Sequence, residues 1–256
     1  MKRLWLLAVL CACSAAQVTL PDDGPRTVAD LRALLHPPKV KTLQGTARLD
    51  AYVAGDRKSV TVLVIASTPQ SLQIQALTPT LDLVALLSTD GQRFTTFERG
   101  GSQCLVGQAC PRNLARLLPL PLSANGLVRA LLGDVPLQEV PPDQQRLAWD
   151  SERKLYRLEL GDPSGWQQHV FVAPKTLALV GAVWWLKGAR QASLQYEGEV
   201  TPGGSPKLLR IKTMAQNADM TLEMRDVQID QPVAAEVFAV TCPQGMVQVE
   251  LPCEGE

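Results

Sequence analysis

Leu72-Gln73-Ile74-Gln75-Ala76-Leu77-Thr78-Pro79-Thr80-Leu81-Asp82-Leu83 is the stretch on which the fold turns. Leu72, Ile74 and Ala76 alternate with Gln73 and Gln75, the period of a strand with one face buried. Val60, Val62, Val64 and Ala66 alternate in the same way just upstream. Before them, Leu43 to Tyr52 reads as a strand that turns back at Gly55-Asp56. After them, Leu81 to Leu87 continues the pattern, and Gln92 to Phe97 follows a turn at Asp90-Gly91. Short strands joined by tight turns predict an antiparallel meander.

The meander breaks at Cys104–Cys110. Arg112 to Leu118 is apolar and helical in pattern, and Pro119-Leu120-Pro121-Leu122 is extended. Ser123 then caps a helix running to Leu132, with Gly133 past its end. A further helix starts at Thr27, where Asp30 stands three residues on, and Pro37-Pro38 stops it. Strands resume over 145–149, 155–160, 167–172, 178–186, 192–199, 207–214 and 220–229. No linker divides the series, so residues 27–256 read as a single domain, mainly β with a few helices.

Lys+Arg and Asp+Glu are both 25, so net charge is zero and nothing favours a polyanion. Nucleic acid is excluded as an expected partner. His36 and His169, the two histidines, stand far apart, and no metal site or cofactor is expected from them. No G-x-S-x-G, H-E-x-x-H or phosphate-binding loop occurs, so no catalytic residue is assigned and no enzyme is expected. Trp184 and Trp185 share a strand and face opposite sides, which puts one of them inside.

The first residues carry a different signal. Met1-Lys2-Arg3 is basic and Leu4 to Leu10 is apolar, a run far short of the roughly 20 residues needed to cross a bilayer. This is the form of a signal peptide, residues 1–12. It ends in Leu10-Cys11-Ala12-Cys13, which resembles the lipobox of bacterial lipoproteins. That resemblance implies cleavage after Ala12 and acylation of Cys13, with residues 13–26 as a tether. An ordinary signal cut near Ala15-Ala16 is the alternative. Two or three acyl chains on Cys13 would hold the chain on a membrane, since one alone binds marginally. Ser14 is not the Asp that commonly retains lipoproteins at the inner membrane, so the periplasmic face of the outer membrane is expected. In an exported chain Cys104, Cys110, Cys242 and Cys253 read as disulfides, expected as two local pairs, Cys104–Cys110 and Cys242–Cys253.

The order of segments resembles the LolA/LolB-like lipoprotein-localisation superfamily, and the outer-membrane lipoprotein LolB in particular. Gly45-Thr46-Ala47-Arg48-Leu49 opens the first meander, and Leu72–Leu83 is its hairpin. Leu117-Leu118-Pro119-Leu120-Pro121-Leu122 and Leu127-Val128-Arg129-Ala130-Leu131-Leu132-Gly133-Asp134-Val135-Pro136 stand where that family has its helix pair. The family's Pro-Leu-Gly loop stands here as Pro79-Thr80-Leu81, displaced by one and lacking Gly. The cysteine pairs and the tail after Pro232 are not part of that pattern.

The resemblance implies an open antiparallel half-barrel with helices covering an apolar concave face. It implies a cavity for acyl chains, with Leu114, Leu118, Leu127, Leu131 and Trp184 as lining candidates. It implies a chain that receives or inserts lipoproteins or lipids, with acylated lipoproteins and a periplasmic carrier as partners. It also makes Leu81 a candidate for a membrane-engaging loop. The residues alone favour Leu81 as the start of a strand facing the core, since Leu83 and Ala85 continue its alternation, and read the Leu stripes as dry packing. A scaffolding lipoprotein without ligand is the alternative function.

Replacing Cys13 by Ala is expected to abolish palmitate labelling and release the protein from the membrane fraction. A mutant that still labels and sediments with membranes would remove the anchor.

Overall fold

The computed structural model describes residues 20–35, 40–53, 55–116, 120, 122–200, 206–214 and 217–253. The expected signal, Cys13, His36 and Leu118 lie outside the described residues. Fourteen strands form one sheet. The first meander is β1 (Thr42–Val53), β2 (Asp56–Ser67), β3 (Ser71–Leu77), β4 (Leu83–Thr89), β5 (Arg93–Glu98) and β6 (Gln103–Gln108). The second is β7 (Gln145–Asp150), β8 (Leu155–Gly161), β9 (Trp166–Val172), β10 (Leu179–Leu186), β11 (Ala189–Val200), β12 (Leu208–Thr213) and β13 (Ala218–Ile229). A last strand, β14 (Val247–Leu251), lies parallel to β6. β1 pairs with β13 antiparallel, so each meander runs outward from that seam. The sheet ends at β14 and β7 and stays open.

One face of the sheet is mostly apolar. Val64 and Val170 are fully buried, as are Leu158 and Tyr156. The alternate positions carry Arg48, Arg157, Arg210 and Lys212 outward. Three helices occupy the apolar side: α1 (Val28–Leu34), α2 (Pro111–Leu114) and α3 (Ala124–Leu131). Thr27 and Asp30 close a reciprocal capping box on α1, with Asp30 N donating to Thr27 Oγ1 at 3.1 Å. Ser123 Oγ accepts from Gly126 N at 3.2 Å to start α3. Gly133, at φ 87°, supplies the left-handed residue that lets the chain leave it.

α3 shows that the sheet curls. It packs on β2 and β3. Tyr196 of β11 also reaches it, donating to Ala130 O at 2.8 Å. β3 and β11 are five strand steps apart, about 24 Å along a flat sheet at ~4.8 Å per step. One helix touches both because the open sheet curls toward it, which is consistent with the half-barrel that the family resemblance implies. The N-terminal segment packs as well. Leu20 lies against the core, and a Cβ on Gly24 would fall 1.8 Å from Tyr156 Oη. Contact with the domain therefore begins inside the span read as tether.

The cysteines pair differently from expectation. Cys104 bonds Cys242, and Cys110 bonds Cys253. The stretch read as a Cys104–Cys110 loop is β6, and six extended residues hold those two about 20 Å apart. A disulfide tolerates a Cα separation of only about 7 Å. β14 likewise lies between Cys242 and Cys253. The real bonds tie the C-terminal segment across the outer face of β3 to β6. Gln73 Nε2 donates to Val237 O, Ser88 Oγ to Phe238 O at 2.9 Å, and Thr95 Oγ1 to Val240 O at 3.0 Å. Val240, Cys242 and Met246 of this strap pack over Leu86, Phe97 and Val106, and Phe238 is buried too.

Non-reducing peptide mapping should recover Cys104–Cys242 and Cys110–Cys253. Replacing Cys104 and Cys242 together by Ala should lower unfolding stability in urea by about 2–5 kcal/mol, because each bond closes a long loop. Recovery of the two local pairs would overturn the strap.

Candidate functional site

On the concave face, inward positions fall in rows set by the register. Val62, Ala76, Ala85 and Glu98 are successive partners, and Val64, Ile74, Leu87, Thr96 and Leu105 form the next row. α3 covers β2 and β3, which leaves the rows of β4 to β6 less covered. A hollow of about 410 Å³ opens there, inside the roughly 300–1,000 Å³ range of small-molecule sites. Its wall includes Val62, Ile74, Ala76, Ala85, Leu87 and Leu105. Ala76 and Ala85 are the short side chains that make the space. Glu98, Gln103 and Arg116 stand at its polar mouth. Thr96 and Ser102 also line it, but most of the wall is apolar, and a polar group buried against that part would go uncompensated. The body of a fitting ligand is apolar, and its polar end stays at the mouth.

The roof is held by polar contacts. Tyr196 Oη lies within hydrogen-bond distance of Ala130 O and, at 3.1 Å, of Asp134 O. Burial, with Asp134 beside it, holds the Tyr196 phenol well above its ordinary range. Asp134 pairs with Arg129 and caps Val135 N at 2.8 Å. Burial raises its carboxyl even so, with the Arg129 charge opposing the shift. Gln168, fully buried on β9, donates to Pro136 O at 3.0 Å and accepts from Gln138 N at 2.8 Å. These bonds fix the segment after α3 to the second meander.

Leu114, Leu127, Leu131 and Trp184 are all buried in the main core and none lines the hollow. The wall comes from strand residues that the sequence analysis read as a buried face and did not name as lining candidates. Their signal was small residues at inward register positions among Val, Ile and Leu.

Leu81 is where the loop reading put it. β4 starts at Leu83, and Leu81 stands outside the sheet, 68% exposed. The expected strand from Leu81 onward is thus two residues too early, since Pro79 breaks the ladder. Thr78 to Leu81 forms a turn closed by Leu81 N donating to Thr78 O at 2.9 Å. Asp82 N donates to Thr78 Oγ1 at 3.0 Å and Thr80 Oγ1 to Asp82 Oδ2 at 2.8 Å. Leu81 has φ 66°, a conformation that a Leu seldom adopts.

His169 lies on the outer face, its ring 6.0 Å from that of Trp185, and burial lowers its pKa. Among the described residues no three His, Cys, Asp or Glu gather as a metal site would require. No described helix is long and apolar enough to cross a membrane.

Neither a family model nor a curated protein sequence matches the chain. Solved structures do. A LolA superfamily protein from Nitrosomonas europaea is 12% identical, with TM-score 0.52 over 78% of this chain and 90% of that one. A DUF1329 family protein from Desulfovibrio piger is 11% identical, with TM-score 0.52 over 78% and 90%. A putative outer membrane lipoprotein-sorting protein domain from Vibrio parahaemolyticus is 10% identical, with TM-score 0.50 over 82% and 93%. These likenesses show a LolA/LolB-like fold and do not single out LolB.

Tyr196→Phe should leave the fold intact but destabilise it by roughly 1–2 kcal/mol, the worth of a buried hydrogen bond to the roof. An unchanged urea midpoint would show that the phenol does not hold α3.

Proposed function

We propose that the chain is an envelope lipid-handling protein whose concave hollow takes the acyl chain of a lipid or lipoprotein. One observation carries the reading: a pre-formed apolar hollow of about 410 Å³ within a sheet that has the LolA-type fold. Transfer needs no covalent step. An acyl chain partitions between apolar surroundings, driven by the area it removes from water. The chain acts as a carrier or receiver and not as an enzyme.

On this reading Cys13 bears the acyl anchor, and the domain faces the periplasm from the outer membrane. Acylated lipoproteins brought by a periplasmic carrier are its partners. Leu81, held out on its strained turn, is the side chain that meets the incoming acyl group or the bilayer.

A fluorescent fatty-acid probe should bind the protein at micromolar concentration and be displaced by a lipopeptide. Ala85→Phe fills the hollow from its wall and should weaken the probe by about tenfold, ~1.4 kcal/mol. Leu81→Glu should keep the melting behaviour, since an exposed substitution changes stability by about 0.5 kcal/mol or less. It should lose delivery of lipoprotein to liposomes. Absence of saturable probe binding would favour a scaffold without ligand.

A further inference from the structure

Eight large hydrophobic side chains are exposed among the described residues, and six of them stand on one rim of the sheet. They are Tyr52, Val53, Leu81, Val84, Met214 and Val247. The register places them at one end of the strands, stepped along it, with the β1–β2 tip reaching about six residues beyond the level of Val247. Val53 pairs with Asp56 and Ala218, and Thr213 pairs with Ala218, so the β1–β2 and β12–β13 tips are neighbours. Leu77 pairs with Thr61, and the turn bearing Leu81 rises beyond it at the same end. Arg99 N donates to Val84 O and Val247 N to Ser102 O, which brings both valines to the β5–β6 turn. The two exceptions are Leu34 on α1 and Ile229, which pairs with Leu43 at the opposite end.

The rim from β14 to β12 covers nine neighbouring strands, an arc of about 38 Å at ~4.8 Å per step. Ala85, Glu98 and Gln103, at the mouth end of the hollow, belong to this arc. Farther along, the same rim is polar, with Asp162-Pro163-Ser164-Gly165 and Lys187-Gly188 at its turns.

We infer that this rim is a docking surface for a lipid bilayer, into whose interface these six side chains dip. It rests on the acyl-carrier reading for what the rim is for, but not for where it is. The tips are separate, with Thr80, Asp82, Arg99 and Gly100 between them. A protein partner of this size would bury a continuous apolar core. A fluid interface accepts isolated apolar tips without matching their shape, and Tyr52 suits the headgroup level. The charges nearby balance: Arg57, Lys58 and Arg99 stand against Asp56, Asp82 and Glu98, and Arg99 pairs with Asp82 at 3.7 Å. Attraction to the bilayer is therefore apolar and does not need anionic lipid.

The test is flotation of the full chain carrying Cys13→Ser, so that no acyl anchor contributes, with phosphatidylcholine vesicles. The protein should float with them in low and high salt. The triple variant Tyr52→Glu, Met214→Glu and Val247→Glu should lose flotation by roughly tenfold or more. None of these residues lines the hollow, so fatty-acid probe binding in vesicle-free buffer should stay at the parent value. If the Glu variant melts early, the corresponding Ser substitutions repeat the test. Several results would overturn the docking surface: a parent that stays unfloated, a variant that floats like the parent, or flotation confined to anionic vesicles and abolished by salt. A parent that dimerises through the rim without binding vesicles would assign it to a second copy. A parent that floats through its rim yet binds no probe would sink the acyl-cavity reading while leaving the docking surface standing.

Discussion

The rest of the structure depends on how the apolar side of one helix is covered. α3 is short, and Leu127, Val128, Ala130 and Leu131 bury one side of it, while Asn125 and Arg129 are part-exposed on the other. An amphipathic helix must place its apolar side against another layer. Two meanders joined at the β1–β13 seam curl round it, and each contributes a hold. The first offers β2 and β3 as a bed, and the second offers the Tyr196 phenol and the Gln168 amide. The hollow is the remainder of this solution. It lies where the curled sheet continues past the helix, over β4 to β6, and where Ala76 and Ala85 shorten the wall.

Much of this was legible in the sequence because its signals are local. Thr27 with Asp30, and Ser123 with Gly133, are complete within one or two turns of chain, and both helices start where those residues say. The strands of the second meander alternate cleanly because their outer face meets solvent. β6 hid itself for the opposite reason. Cys104 and Val106 are buried under the strap and Leu105 faces the hollow, so the apolar residues run on without alternation. β14 pairs with a strand more than a hundred residues away in the chain, and no local pattern announces a parallel partner. The cysteines were misread in consequence, since proximity in sequence stood in for proximity in space.

The candidate site was legible in kind and not in its residues. A Leu stripe on a helix looks like a cavity lining and a core equally well, and Leu114, Leu127 and Leu131 are core. What makes space in a packed protein is the absence of atoms, so the informative residues were the alanines facing inward on β3 and β4. Leu81 was ambiguous because its alternation with Leu83 mimics a strand. Only the turn closed by Thr78, Thr80 and Asp82 decides that it leaves the sheet.

The strap bears on how such a hollow keeps its shape. A sheet wall with solvent on its outer face can flex, and an empty apolar hollow gains by collapsing. Here the outer face of β3 to β6 carries its own small core, around Leu86, Phe97 and Val106, and its polar residues Gln73, Ser88 and Thr95 are bonded to the strap backbone. Two disulfides close that layer, one of them from Cys110 at the start of α2, which leads to Arg116 at the mouth. The wall is thereby packed on its outer side before any ligand arrives. A ligand entering a pre-formed site need not supply the free energy of ordering it. Stiffening of the wall from outside, with the helix roof pinned by Tyr196 and Gln168 from the far meander, leaves the uncovered rows of β4 to β6 as the part of the interior that stays open.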